Sequence, residues 1–308
     1  MTSSEISAWV SLETKLSDEK AKIMSTANVL EGAQLYDLKI SQGQDFFEWF
    51  VSNKFHRKSK VKKPVSPRAS KLLRIAWQTE LASQLPFQLD DLIMKRASIQ
   101  IFPVQAYYAV FNSIRALTEV LGGPIDSHHK IKKFFSLNLS AVTSGLWSTQ
   151  MFGDPEKLDD QIFKNLSVTP SNFNPASAGH EPENYVYSLL KTARRFNLKQ
   201  RRETWLETTK ERTVSGERFK NLPSKKRIEH LESEYGTTVL DYMYKLRCDT
   251  NYNSIDEFSA DLSGEHLNTY HDGLNYIMQS GLFMVEAQIA NHIGKQEYKL
   301  EFENWSSK

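Results

Sequence analysis

The chain has 308 residues, 40% of them hydrophobic and 25% charged, with only 13 Gly and 10 Pro. That length supports one large domain or two small ones, and the composition excludes a disordered chain or a fibrous repeat. A formal net charge of +2 announces neither a nucleic-acid nor a membrane partner, so the placement of charge has to decide. The single cysteine, Cys248, excludes an intrachain disulfide and suits a reducing compartment. Met1-Thr2-Ser3-Ser4-Glu5 has no basic or apolar leader character, and no apolar run approaches the roughly 18 residues of a membrane span. The expectation is a cytoplasmic protein with no membrane partner.

In chain order, Ser17-Asp18 is placed to cap a helix through Leu30, and Tyr36 to Phe50 reads as a second helix with Leu38, Phe46, Phe47, Trp49 and Phe50 in its core. The basic loop 54–63 follows, with Arg57, Lys58, Lys60, Lys62 and Lys63 before Pro64 and Pro67. Such a run reads either as a solvated loop or as a phosphate-contacting one. Ser70 to Leu85 has helical spacing and is closed by Pro86; a short helix is expected near Leu89 to Arg96.

The best-bounded helix runs from Val104 to Leu121. Tyr107, Val110, Phe111, Ile114, Leu117 and Leu121 share one face, Pro103 stands before it and Gly122-Gly123-Pro124 after it. Arg115 falls at the margin of the apolar arc, where a guanidinium must snorkel or find a partner. Ser127 then caps a shorter helix with His128 and His129 at its start and Ile131, Phe134 and Phe135 as its apolar positions.

From Ser136 to about Glu183 the texture is rich in Ser, Asn, Thr and Pro and reads as a lid or interaction loop with one helix at Pro155 to Leu166. Residues 184 to 232 return to helix and carry Arg194, Arg195, Arg201 and Arg202 among other cations, interleaved with Tyr185, Tyr187, Phe196, Trp205 and Phe219. Rings stack on bases and cations neutralise phosphates, so the mixture fits an RNA groove; it fits an amphipathic helix with a solvated basic face as well. From Val239 to Tyr252, Leu240, Met243 and Leu246 define an apolar face that also carries Arg247. A charge there needs a carboxylate partner or a task at a cleft. A last long helix spans about Glu265 to Ile293 and stops at Gly294, with His271 beside its core stripe. The chain has no Gly-rich phosphate loop, zinc-spaced Cys/His pair or Gly-x-Ser-x-Gly elbow, so no metal and no cofactor is expected.

The Tyr107-Tyr108-Ala109-x-Phe111 helix with its Arg115-Ala116-Leu117 step, the Gly-containing loop and the Ser127-His128 step together resemble the HEPN family, especially its branch paired with small nucleotidyltransferases. Met243-x-x-Leu246-Arg247-x-Asp249-x-x-Tyr252 is similar to the family pattern in which a helix ending in Arg is followed by a polar step and a Tyr. The resemblance covers residues 100–136 and 237–294. It implies an all-α, up-and-down helical bundle that forms a homodimer, with a cleft at the dimer seam, an N-terminal extension over 1–99, an inserted segment over 137–236 and a tail over 295–308. It further implies RNA as partner, a companion protein from a bacterial toxin–antitoxin or antiphage operon, and in many members metal-independent RNA cleavage. Ribonuclease members carry a His four to six residues beyond an Arg. No Arg of this chain has one, and beyond Arg247 the place is taken by Asn251, followed by Tyr252. Asn can hydrogen-bond but cannot act as an acid or base. The expectation is therefore a nucleic-acid-binding or scaffold subunit, with RNA favoured over DNA. The alternatives are a ribonuclease in which His128, His129 or His271 reaches Arg247 from elsewhere, and a helical protein-interaction module.

Overall fold

The computed structural model describes residues 24–43, 45, 47–48, 65–89, 91–156, 163–164, 182–213, 215–232, 235–252 and 263–307. They contain helices α1 (24–40), α2 (Pro67–Gln88), α3 (Leu92–Val120), α4 (His128–Phe134), α5 (Pro182–Thr208), α6 (Ser224–Leu231), α7 (Val239–Tyr252), α8 (Gly264–Ile293) and α9 (Lys295–Ser306). The strands among them are the two-residue β1 (Gln150–Met151) and β2 (Phe163–Lys164), paired antiparallel. The protein is all-α, and none of its described helices is long and apolar enough to cross a membrane.

Helix α3 is the axis of the bundle. It buries 17 of its 29 residues, more than one amphipathic face can supply, because α2, α7 and α8 all pack against it. It runs unbroken through Pro103, where the sequence pattern points to a short helix and a fresh start. Asp91 fixes the true start by accepting from the backbone N–H groups of Ile93 and Met94. Ile99, Phe102, Pro103, Ala106 and Tyr107 are all buried, so packing on both sides of the proline outweighs the lost backbone hydrogen bond. Helix α2 likewise continues past Pro86 to Gln88.

Helix α1 bridges the joint expected between two N-terminal helices. Leu30, Ala33, Tyr36 and Asp37 are fully buried, whereas Leu38 is 45% exposed. Glycines set its approach to two neighbours: a Cβ on Gly32 would lie 2.0 Å from Tyr185 of α5, and one on Gly273 of α8 would lie 2.6 Å from Leu30. Ser17 to Ile23, Phe46, Trp49, Phe50 and the basic loop with Arg57, Lys58, Lys60, Lys62 and Lys63 lie outside the described residues.

The segment after α4 enters the core instead of looping away from it. Phe135 to Ser148 folds as short π and 3-10 turns. Ser140, Ser148 and Thr149 donate their hydroxyls to backbone carbonyls three or four residues back, which diverts the chain from regular helix. Trp147 is fully buried, donates Nε1–H to Ser280 Oγ at 2.9 Å, and packs where α8 has Gly281. Of the span expected to be helical from Pro155 to Leu166, Pro155 and Glu156 form a turn and Phe163–Lys164 is strand; 157–162, 165–166 and Val168 to Pro175 lie outside the described residues. Val186, Leu189, Leu190 and Ala193 of α5 join the same apolar core as α3 and α8.

Residues 295–306, read from sequence as a tail, form α9 and dock on α2. Tyr298, Phe302 and Trp305 surround Trp77 with ring centroids 6.1, 5.3 and 5.3 Å away. Beneath them the buried Glu286 accepts from Trp77 Nε1 at 2.8 Å and from the Tyr298 hydroxyl at 2.5 Å. Burial pushes the Glu286 carboxyl from 4.5 up to about 7, against the lowering effect of those two donors. A carboxyl raised in the folded state binds its proton more tightly there than in the unfolded chain, so its contribution is present at low pH and is lost as pH rises towards 7. That loss is on the order of 3 kcal/mol. Thermal melts of Glu286→Gln should therefore show a smaller fall in Tm between pH 5 and pH 7.5 than the parent does. Gly281→Ala should cost about 2 kcal/mol in a denaturant titration by overpacking Trp147, whose ring carbon would lie 2.3 Å from the new Cβ.

Candidate nucleic-acid interface

The site begins with a buried ion pair. Lys132, on the inner face of α4, places Nζ 3.2 Å from Asp241 Oδ1 and 3.1 Å from Asn197 Oδ1. Asp241, at the start of α7, also accepts from Asn197 Nδ2 at 2.8 Å and from the backbone N–H and hydroxyl of Thr238 at 2.9 and 3.1 Å. Removing one partner from such a pair costs roughly 3–5 kcal/mol. The network ties α4, α5 and α7 together and sets Lys132 Nζ 4.3 Å from the centroid of the Tyr244 ring.

On one side of Tyr244 lies an aromatic nest. Arg247, one turn along α7, stacks on Tyr108 at 5.3 Å and on Tyr244 at 5.6 Å. His128 is ringed by Tyr107, Tyr108, Phe111 and Tyr244, with centroids 4.6 to 5.9 Å away. Arg247 pairs with no carboxylate among the described residues, and its buried Nε has no acceptor among them. The sequence allowed it a carboxylate partner or a cleft; the rings take the first role. Burial holds the Tyr107 phenol far above its ordinary value, so it keeps its proton. Its hydroxyl and His128 Nδ1 share a hydrogen bond of 2.8 Å. Burial first, then the charges of Arg247, Lys132 and Arg115, push His128 down to about 4. At neutral pH it is an uncharged hydrogen-bond donor.

On the other side of Lys132 a groove of about 360 Å³ opens between α4, α5 and α6, lined by Lys132, Gln200, Arg201, Trp205, His230 and Tyr235 among others. Arg201 stacks on Tyr235 at 5.3 Å. His129 approaches the Tyr235 hydroxyl through Nδ1 at 3.3 Å. Burial and the charges of Lys132, Arg201 and Lys133 hold His129 below its ordinary value; burial and Arg201 do the same to His230.

These geometries sort the residues that the sequence proposes. His128 and Arg247 meet on the same tyrosines, while His129 contacts Tyr235 of the groove. His271 belongs elsewhere, its ring stacked between Phe87 and Phe102 at 3.5 and 4.6 Å. Asn251 and Tyr252 occupy the last turn of α7, and their side chains lie outside the described residues. Arg194 is corrected: it is 1% exposed and donates to the carbonyls of Gly153 and Leu231 at 3.1 and 2.9 Å, so it holds the chain and presents nothing to a phosphate. Its neighbour Arg195 makes a bidentate pair with Glu156 at 2.5 and 2.7 Å, which cancels its charge. Arg202 is exposed and donates to Asn221 Oδ1 at 2.8 Å. Arg115 has its partner in Asp126, which it shares with Arg68.

Lys132, Tyr244, Gln200, His230 and Tyr235 do not stand out in the sequence. Lys132 sits one turn after His128 within a run of lysines, and only the buried Asp241 109 positions later distinguishes it from its neighbours. No group of His, Cys, Asp and Glu among the described residues could hold a metal ion. Comparison of the chain with models of known families, with characterised proteins and with solved structures finds no match.

The charge of Arg247 is the largest influence on His128 after burial. Arg247→Gln should therefore raise the His128 pKa by a measurable fraction of a unit, read from the imidazole proton shifts in an NMR pH titration.

Proposed function

We propose that this protein binds RNA through the face formed by α4, the second half of α5 and α7, as a HEPN-like binding subunit. One observation carries the reading: Arg247, Lys132 and Arg201 lie over the rings of Tyr108, Tyr244 and Tyr235 along one face, and beside them His128 and His129 of α4 and His230 of α6 are held below their ordinary values by burial first and by these cations second. Uncancelled cations gathered beside aromatic rings make a positive potential, which is what an anionic backbone seeks. The rings of Tyr108, Tyr244, Trp205 and Tyr235 line the same face, and stacked aromatics beside cations suit unpaired bases more than a duplex. The companion protein and the homodimer implied by the resemblance belong to this proposal as well.

A second reading, a metal-independent endoribonuclease, is favoured by the shared tyrosine nest of His128 and Arg247. A phosphate entering there would meet the guanidinium and raise the His128 pKa, turning a neutral donor into an acid that could protonate a leaving oxygen.

Both readings meet one assay: labelled single-stranded RNA with purified protein over a salt series, in the presence of chelator. The expected result is intact RNA with an affinity that falls steeply as salt rises. Arg201→Glu with Arg202→Glu should weaken binding at least about tenfold, whereas Arg195→Ala should change it little because Glu156 already neutralises it. Chelator-resistant cleavage lost in Arg247→Ala would move the conclusion to the ribonuclease. No binding at low salt would overturn both and leave a protein-interaction module.

A further inference from the structure

Along α5 the residues that line the groove are Asn197, Gln200, Arg201, Thr204, Trp205 and Thr208. Their spacing of three and four makes one continuous stripe down the helix. Glu203 and Glu207 of the same helix fall off that stripe, and among the described residues the groove lining contains no carboxylate. Of the acidic groups nearby, Asp241 is fully buried beneath Lys132 and occupied by it, and Glu229, which acts on His230, is paired with Lys226. What the stripe offers is therefore cations, amides, hydroxyls and rings, which suits an anionic, planar ligand with hydrogen-bonding edges.

Three details point to an occupant. His230 has a buried Nδ1 with no hydrogen-bond partner among the described residues, and leaving such an atom unsatisfied is costly unless a ligand or water meets it. Trp205 is backed by Phe219 at 5.7 Å with a tilted ring geometry, which supports the indole without covering both of its faces. Its Nε1–H has no acceptor among the described residues. Gln200 also reaches the Tyr244 hydroxyl, so whatever occupies the groove is coupled to the tyrosine nest of Arg247 and His128. The groove volume of about 360 Å³ lies near the small end of ligand sites, the size for one nucleotide and not for a folded peptide.

We infer that this groove is a base-binding subsite: it takes one unpaired nucleobase of a bound RNA strand against Trp205, with Gln200 and Thr204 at the base edge and Arg201 and His230 at the adjoining phosphate. The subsite rests on the RNA-binding reading and adds to it a position where the base itself, and not the backbone alone, is held. Stacking is sequence-tolerant, while the Gln200 amide can favour one base edge over another. An acidic peptide would use the cations but would have no use for the ring and the amide.

The test compares a single-stranded RNA decamer with an abasic ribose-phosphate decamer of the same length, using full-length parent, Trp205→Ala and Trp205→Phe at low salt. Circular dichroism confirms that each variant is folded, and Trp205→Phe keeps a ring in place if the alanine variant does not fold. The parent should prefer the RNA to the abasic strand by about tenfold, the scale of one stacked base. Trp205→Ala should lose that preference while holding the abasic strand as the parent does, and Trp205→Phe should keep most of it. Equal, salt-dependent binding of both strands by the parent would overturn the subsite and leave the RNA-binding reading standing. Displacement of RNA and abasic strand alike by a poly-glutamate peptide, with no effect of Trp205→Ala, would overturn the subsite in the same way. No binding of either strand would overturn the subsite and the reading together.

Discussion

The Lys132–Asp241 ion pair is the constraint on which the functional face depends. Two charges with almost no solvent exposure can coexist only if every remaining donor and acceptor is met, and Asn197 and Thr238 meet them. Each of those partners comes from a different part of the chain, so the pair fixes the mutual positions of α4, α5 and the start of α7. Once they are fixed, Tyr244 has no choice but to lie under Lys132, and Arg247, one turn later, lands on the other side of the same tyrosine. A hydrophobic replacement of similar volume could hold the helices as firmly. It would not place a cation between the tyrosine nest and the groove.

The consequence is a surface whose character is set from below. Arg247 is held by rings instead of by a carboxylate, so its charge is not cancelled locally. Arg195, by contrast, is cancelled by Glu156, and Arg194 is spent on backbone carbonyls. Adjacent arginines in the same helix thus have different fates according to what packs against them. Counting cations along α5 therefore overstates its positive face.

The periodicity of residues 104–121 and 265–293 made α3 and α8 legible, because long amphipathic stripes with clear stops are the strongest pattern a sequence carries. The all-α class followed from the same periodicity. Boundaries were less legible where packing overruled local chemistry, as at Pro103 and Pro86, where buried neighbours on either side hold the helix together. The segment from Ser136 to Met151 read as a loop for its Ser and Thr content. Those hydroxyls do bond the local backbone, and in doing so they make a compact, irregular turn that fits inside the core. Of the candidate site, the meeting of Arg247 and His128 was conceivable from sequence, but not the tyrosines that mediate it. Lys132 was hidden because a lysine among lysines reads as surface until its carboxylate is known.

The seat of Trp147 against Ser280 and Gly281 has a bearing on how the protein acquires its shape. The two partners are 133 residues apart, so the largest buried side chain of the middle of the chain has no finished home until residues beyond 281 have been synthesised. Closing so long a loop is slow compared with forming any single helix. During translation, α2, α3 and α4 can pair with one another while the Phe135–Met151 turns wait with an exposed indole. The molecule's most vulnerable moment, by this logic, comes before α8 is complete, when that indole is available to a chaperone or to another nascent chain.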